Sequence, residues 1–162
     1  MAICVAIIDK DSSPLLLECS ATAAKYTDVE LPVNSGIELP NEERINLKLH
    51  YFVHCSLDIV DEKLQQQQTQ SSSNREIREL YLGPLIENFE FRAYGYATNT
   101  KVKFILVSEL GEQSLKDQEI RTIFKKLHTV YCDAVANPFY VPGKPIVSSA
   151  LRQVVSEVLA KS

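Results

Sequence analysis

The chain has no tryptophan, one methionine and five glycines in 162 residues. Those five, Gly36, Gly83, Gly95, Gly111 and Gly143, are scattered, and no GxGxxG, GxxxxGK[ST] or GxSxG occurs. A loop that cradles phosphate has almost no material here, which argues against a nucleotide enzyme, and no cofactor is expected. No apolar run approaches the roughly 18 residues of a membrane span, so direct membrane insertion is not expected either. The opening, MAICVAIIDKDS, has no basic stretch before its apolar one and meets charge at Asp9, which argues against a secretory leader. Cys4, Cys19, Cys55 and Cys132 form no CxxC pair and are irregularly spaced, so they read as free thiols in a reducing compartment. Basic charge is thin: 17 Lys and Arg against 21 Asp and Glu leave a net charge of -4. Lys125-Lys126 is the one local cluster, and nucleic acid and anionic lipid are poor partners for such a surface.

What is present suits one domain of 162 residues with a real core, since 45% of the chain is hydrophobic. Ile3 to Ile8 and Pro14 to Glu18 read as a hairpin joined by a turn at Asp9 to Ser13. Residues 20–41 carry Pro32, Gly36 and Pro40 with little periodicity, so a long loop insertion is expected. From Glu43 to about Gln66 the period is helical. One face collects Ile45, Leu49, Phe52, Val53, Ser56, Ile59 and Val60, with Ser56 small enough for close approach to a sheet. The opposite face collects Leu47, Tyr51, His54, Asp58, Asp61 and Gln65. Residues 65–74, QQQQTQSSSN, are polar and of low complexity and read as a flexible connection into which the helix frays.

Three strands follow. Glu79 to Gly83 is closed by Pro84. Phe89 to Ala97 alternates, with Phe89, Phe91, Ala93 and Gly95 on one side and Arg92, Tyr94 and Tyr96 on the other. After a turn at Asn99-Thr100, Lys101 to Ser108 is apolar on both sides, Val102, Phe104 and Leu106 against Ile105 and Val107. Such a strand needs helices on both faces. Ser114 to Asp117 fits a capping box in its Asp variant. The helix it opens buries Ile120, Phe124, Leu127, Tyr131 and Val135, and Asn137-Pro138 ends it. A last helix, about Ser148 to Ala160, turns Leu151, Val154, Val155, Val158 and Leu159 inward. The order β-β-α-β-β-β-α-α makes an α+β layered domain, an antiparallel sheet between helices.

Candidate chemistry is sparse. His50 and His54 are four apart on a helix, a metal-ligand spacing, but no HExxH glutamate lies between them, and the expectation is no metal site. Adjacent helical residues point about 100° apart, so His54 and Cys55 cannot act as base and nucleophile. Asp58, Asp61 and Glu62 form an acidic patch. Acid–base catalysis needs a cleft and separated pKa values, which an exposed helix face lacks, so no catalytic residue is expected. The alternatives are a solvated face and a docking face, and both stay open; Leu47 and Tyr51 on the same side are what supports docking.

The strings HYFVHCSLDIVDEK, ELYLG, YGYATNTKVKFILV and NPFYVPG, with the opening AICVAIIDKDSSPLLL, resemble the sedlin family of TRAPP complex subunits. More narrowly they resemble its trafficking protein particle complex subunit 2-like branch. Their order and spacing cover nearly the whole chain. Residues 20–41 and 65–74 depart from the pattern, as expanded loops of a fungal member would. The resemblance implies a single longin-like (profilin-like) domain, a five-stranded antiparallel sheet with one helix on one face and two on the other. It implies a non-enzymatic subunit of the TRAPP tether, of the TRAPP II form, acting in ER-to-Golgi and intra-Golgi transport. Other TRAPP subunits would be the direct partners. A Rab-type GTPase would be an indirect one, its nucleotide exchanged by other subunits. The chain would be cytoplasmic and reach Golgi or ER-Golgi membranes through the complex. The family's LD pair falls on Leu57-Asp58, so the contact candidates are Leu47, Tyr51, His54, Leu57, Asp58 and Asp61. Phe139 and Tyr140 read either as structural anchors or as contacts. One rival reading is the regulatory longin domain of another trafficking factor such as a SNARE, against which the absence of a following heptad segment counts; the other is a small cytosolic enzyme that uses a cysteine.

Overall fold

A strand buried on both sides needs cover on both faces of its sheet, and two strands of this chain have that character. The structure, a computed structural model, describes residues 2–20, 41–70, 80–110 and 115–161. Its elements are β1 (Ala2–Ile8), β2 (Pro14–Cys19), α1 (Asn41–Gln70), β3 (Tyr81–Glu87), β4 (Phe91–Ala97), β5 (Lys103–Glu109), α2 (Asp117–Val135) and α3 (Ser149–Lys161). The strands form one sheet in the order β2-β1-β5-β4-β3, every neighbouring pair antiparallel. The doubly apolar β1 and β5 therefore lie side by side near its centre.

Alternation sends the side chains of these strands into two layers. Val5, Ile7, Tyr94, Tyr96, Phe104 and Leu106 meet Ile120, Phe124 and Leu127 of α2 and Leu151 and Val155 of α3. Cys4, Ala6, Ile8, Phe91, Ala93, Ile105 and Val107 meet Leu49, Phe52, Val53 and Leu57 of α1. One helix thus covers one face and two cover the other, the expected α+β, longin-like arrangement. A register shift between Ala2 and Cys4 lets Ile3 join Cys4 on the α1 side. Ser56 is buried against the sheet, and its hydroxyl donates to the Val53 carbonyl at 2.6 Å, so the close approach leaves no polar atom unpaired. No helix among the described residues is long and apolar enough to cross a membrane.

Several boundaries differ from the sequence reading, each for a local reason. The helix α1 runs through Gln70. Glutamine is a fair helix former, and Gln66 Nε2 donates to Glu62 Oε1 one turn back at 3.1 Å. The expected flexible connection is therefore helical over residues 65–70, while residues 71–74 and 21–40 lie outside the described residues, as do Glu79 and the side chain of Ile45. Pro84 does not close β3 but sits inside it. The strand is at the sheet edge, where a missing N–H is tolerated, and the register shifts immediately after Pro84. Phe89 is not in β4. The Asn88 side chain accepts from the amides of Glu90 and Phe91, bends the chain into a turn, and leaves Phe89 fully exposed. The helix α2 starts at Asp117, with the Lys116 amide donating to Glu119 Oε2 at 3.1 Å. Only the reverse half of a capping box is present, Glu119 to the Lys116 amide, because a lysine side chain has no acceptor to offer; Ser114 lies outside the described residues. Asp117 instead accepts from the Tyr81 hydroxyl at 2.7 Å and from Arg121 Nε at 2.8 Å, which together hold its carboxyl below the usual range.

On the α2 side the core is aromatic. Tyr96 stacks on Phe124 at 5.5 Å, and Phe104 meets Tyr131 edge-on at 5.4 Å. His128 packs on Tyr96 and Phe104, and the Tyr96 hydroxyl lies 2.7 Å from its Nδ1. Burial lowers the His128 pKa, which favours the neutral ring beside the Tyr96 hydroxyl. The unfolded chain then takes up a proton below about pH 6.5 that the folded chain resists. Stability from this site is complete above that pH and is lost as pH falls toward the lower folded value. His128→Gln should show a shallower loss of unfolding free energy than wild type between neutral and mildly acid pH, measured by urea titration. Identical slopes would contradict a half-buried imidazole whose pKa burial lowers.

On the opposite side Gly95 makes room for β3. A Cβ there would lie 2.8 Å from Leu85 Cδ1 and 3.1 Å from Leu85 Cγ. Gly95→Val should therefore cost about 1–3 kcal/mol by overpacking, read from urea melts, and Leu85→Ala should recover part of it.

Candidate functional site

The helix α1 presents its inner face to the sheet, so its outer face is set by the same 100° step. Leu47, Tyr51, His54 and Asp58, spaced four, three and four apart, fall within one stripe opposite Leu49, Val53, Ser56 and Val60. All four are exposed, Leu47 at 56% and Tyr51 at 72%. Leucine and tyrosine left this far in water mark a surface that gains by being covered. The Cys55 thiol, one turn from Tyr51, raises the Tyr51 phenol above its usual pKa.

Two of the six expected contacts belong elsewhere. Leu57 is 5% exposed and packs in the α1 core layer, because it lies one turn from Val53 and on the same side as Val60. The resemblance places the Leu57-Asp58 pair on one helix, but the 100° step turns the leucine inward and the aspartate outward. Asp61 is half exposed, yet its Oδ1 lies 2.7 Å from Lys103 Nζ on β5, and the Lys103 side chain is only 5% exposed. Asp61 therefore neutralises a buried ammonium, a structural task.

Two further lysines fix the flank of α1 beside β3 and β4. Lys63 Nζ donates to the carbonyls of Leu82 at 3.0 Å and Pro84 at 2.6 Å. Lys48 pairs with Glu90 at 2.5 Å and sits over the Phe91 ring. The β3–β4 turn is thereby held against the first half of α1, on the flank adjoining Leu47. Phe89 at the tip of that turn is an exposed apolar residue that strand alternation had turned inward. Its signal in the sequence was Asn88, a turn former directly before it.

A second exposed apolar set lies between α2 and α3. Phe139, Val141 and Val147 are exposed and line a groove of about 650 Å³. Tyr140 is half-buried, packs against the core and donates its hydroxyl to the Lys144 carbonyl at 3.2 Å. Of the pair left open between anchor and contact, Tyr140 is the anchor and Phe139 is free of the core. His50 is half-buried and His54 exposed, and among the described residues no three His, Cys, Asp or Glu side chains are placed to hold a metal ion.

The sequence relationships agree with this fold. The family model described as Sedlin matches residues 7–161. The chain is 40% identical over 159 residues to a trafficking protein particle complex subunit 2-like protein of Xenopus tropicalis, covering 98% of this chain and 97% of that one. Its counterpart in Mus musculus is 38% identical over 159 residues, with the same coverage. The Dictyostelium discoideum protein of that name is 35% identical over 158 residues, covering 97% of this chain and 95% of its own. The chain belongs to the sedlin family.

The division of the outer face yields a direct test. Asp61→Ala should destabilise the chain by about 1–3 kcal/mol, because it strands the Lys103 charge, whereas Asp58→Ala should change stability by less than about 0.5 kcal/mol. Paired urea melts decide it; equal effects would mean that Lys103 is satisfied without Asp61.

Proposed function

We propose that this sedlin-family chain is a non-catalytic adaptor and assembly subunit of a TRAPP vesicle-tethering complex. Near-full-length similarity to proteins named as trafficking protein particle complex subunits supports the complex. The observation that carries the mode of action is the outer stripe of α1. Leu47 and Tyr51 stand in water opposite a well-packed inner face, and burying a leucine is worth roughly 1.5–3 kcal/mol. A neighbouring subunit would cover these two side chains, with His54 and Asp58 setting charge and register at the rim. In this reading the complex is the TRAPP II form, acting in ER-to-Golgi and intra-Golgi transport. In this reading other subunits carry out nucleotide exchange on a Rab-type GTPase, and attachment to Golgi or ER-Golgi membranes comes through the complex.

The test is co-purification of the tagged chain from its native cells, with thermal unfolding of the same variants alongside. Wild type should bring down other TRAPP subunits. Tyr51→Ala and Leu47→Ser together should weaken that association by about tenfold or more, and Asp58→Tyr should weaken it too, with melting temperatures unchanged. Intact association would return the stripe to solvent. A wild-type chain that recovers no TRAPP subunit would overturn membership of the complex.

A further inference from the structure

Cys4 on β1 and Cys19 on β2 are direct cross-strand partners, and their Sγ atoms are 3.3 Å apart. The register says which kind of pair this is. The Ser20 amide donates to the Ile3 carbonyl at 2.8 Å, the residues just outside the pair, so Cys4 and Cys19 occupy a non-hydrogen-bonded position. At such positions the Cα atoms lie about 4.5 Å apart and the side chains converge. A disulfide takes Cα separations of about 4.4–6.8 Å. The backbone therefore already meets the requirement, and side-chain rotation alone brings the sulfurs to bonding distance. We propose that Cys4 and Cys19 form a reversible thiol–disulfide site, a clasp between β1 and the sheet edge that a hydroperoxide closes.

The two sulfurs have different roles. Cys19 is half-buried on the edge strand, and the hydrogen bond it shares with Cys4 lowers its pKa, whereas the same bond and burial raise that of Cys4. Cys19, the more exposed and more acidic of the two thiols, is thus the sulfur that an oxidant reaches, through its thiolate form. Its sulfur attacks the terminal oxygen of the hydroperoxide, the O–O bond breaks, and an alcohol leaves (water, for hydrogen peroxide itself), giving a Cys19 sulfenic acid. The Cys4 sulfur then attacks the Cys19 sulfur. The S–O bond breaks and hydroxide departs with the Cys4 proton as water. Two thiols lose two electrons and two protons, and the hydroperoxide is reduced to alcohol and water.

The clasp acts on β2, an edge strand whose far side faces away from β1. There β2 receives the Ile146 amide on its Leu15 carbonyl at 3.0 Å and a 3.7 Å ion pair from Arg152 to Glu18. Joining residues 4 and 19 covalently closes the hairpin and restrains this edge strand.

The experiment uses the full chain carrying Cys55→Ser and Cys132→Ser, so that Cys4 and Cys19 are its remaining thiols. Stoichiometric hydrogen peroxide should lower the intact mass by two hydrogen atoms, remove both thiols from alkylation, and leave a monomer on a non-reducing gel. Dithiothreitol should reverse all three. Because the folded register supplies proximity, closure should be on the order of tenfold or more faster in buffer than in urea. Oxidised protein should melt higher and exchange its β2 amides more slowly than reduced protein. Adding Cys19→Ser should abolish the mass loss, a control that spares the buried Cys4. Oxygen adducts without loss of both thiols, covalent dimers alone, or equal rates in buffer and urea would each overturn the proposal.

Discussion

The fold depends on two adjacent strands that are apolar on both sides. β1 and β5 sit next to each other near the middle of the sheet, and neither face of either strand can be left to water. Their odd and even residues must go to different cores, so helices are required above and below. Phe104 and Leu106 commit one face to α2 and α3, while Ile105 and Val107 commit the other to α1. Lys103 is the exception in β5. It shares the α1 side with Ile105, and the carboxylate of Asp61 offsets the cost of a charge at that depth.

The two cores are built differently, which follows from how many helices cover each. Under two helices the α2 side is filled by interlocking rings, Tyr96, Phe104, Phe124, His128 and Tyr131. Under one helix the α1 side relies on small residues in the sheet and helix, Ala93, Gly95 and Ser56, which let backbone surfaces come close. The back of that single helix is exposed at Leu47, Tyr51, His54 and Asp58. The consequence is an outer face whose composition packing leaves free, and there the chain places Leu47 and Tyr51.

Much of this was legible in the sequence because burial imposes a period. The two-sided β5, the alternation in β4 and the apolar stripes of α2 and α3 all follow from which side of an element is dry. Features that depend on a neighbour were not legible. Pro84 reads as a stop unless β3 is known to be an edge. Phe89 continues the alternation unless Asn88 is known to turn the chain. Asp61 belongs to an acidic patch until Lys103 is found beneath it. The cysteines, scattered in sequence, conceal the cross-strand register that brings Cys4 to Cys19. The stripe of Leu47, Tyr51, His54 and Asp58 was legible for the reason the core was, as its complement on the same helix.

Leu57 and Asp58 show why the functions of α1 are separable residue by residue. They are neighbours in the chain but about 100° apart around the helix, one in the core layer and one in water. Truncating Leu57 opens a cavity, so any loss of partner binding would follow from a damaged fold. Changing Asp58 removes nothing from the core, so any loss of binding would belong to the surface itself. A defect seen for both would therefore have two causes. The distinguishing quantity is stability measured beside association, since only for the leucine should the two fall together.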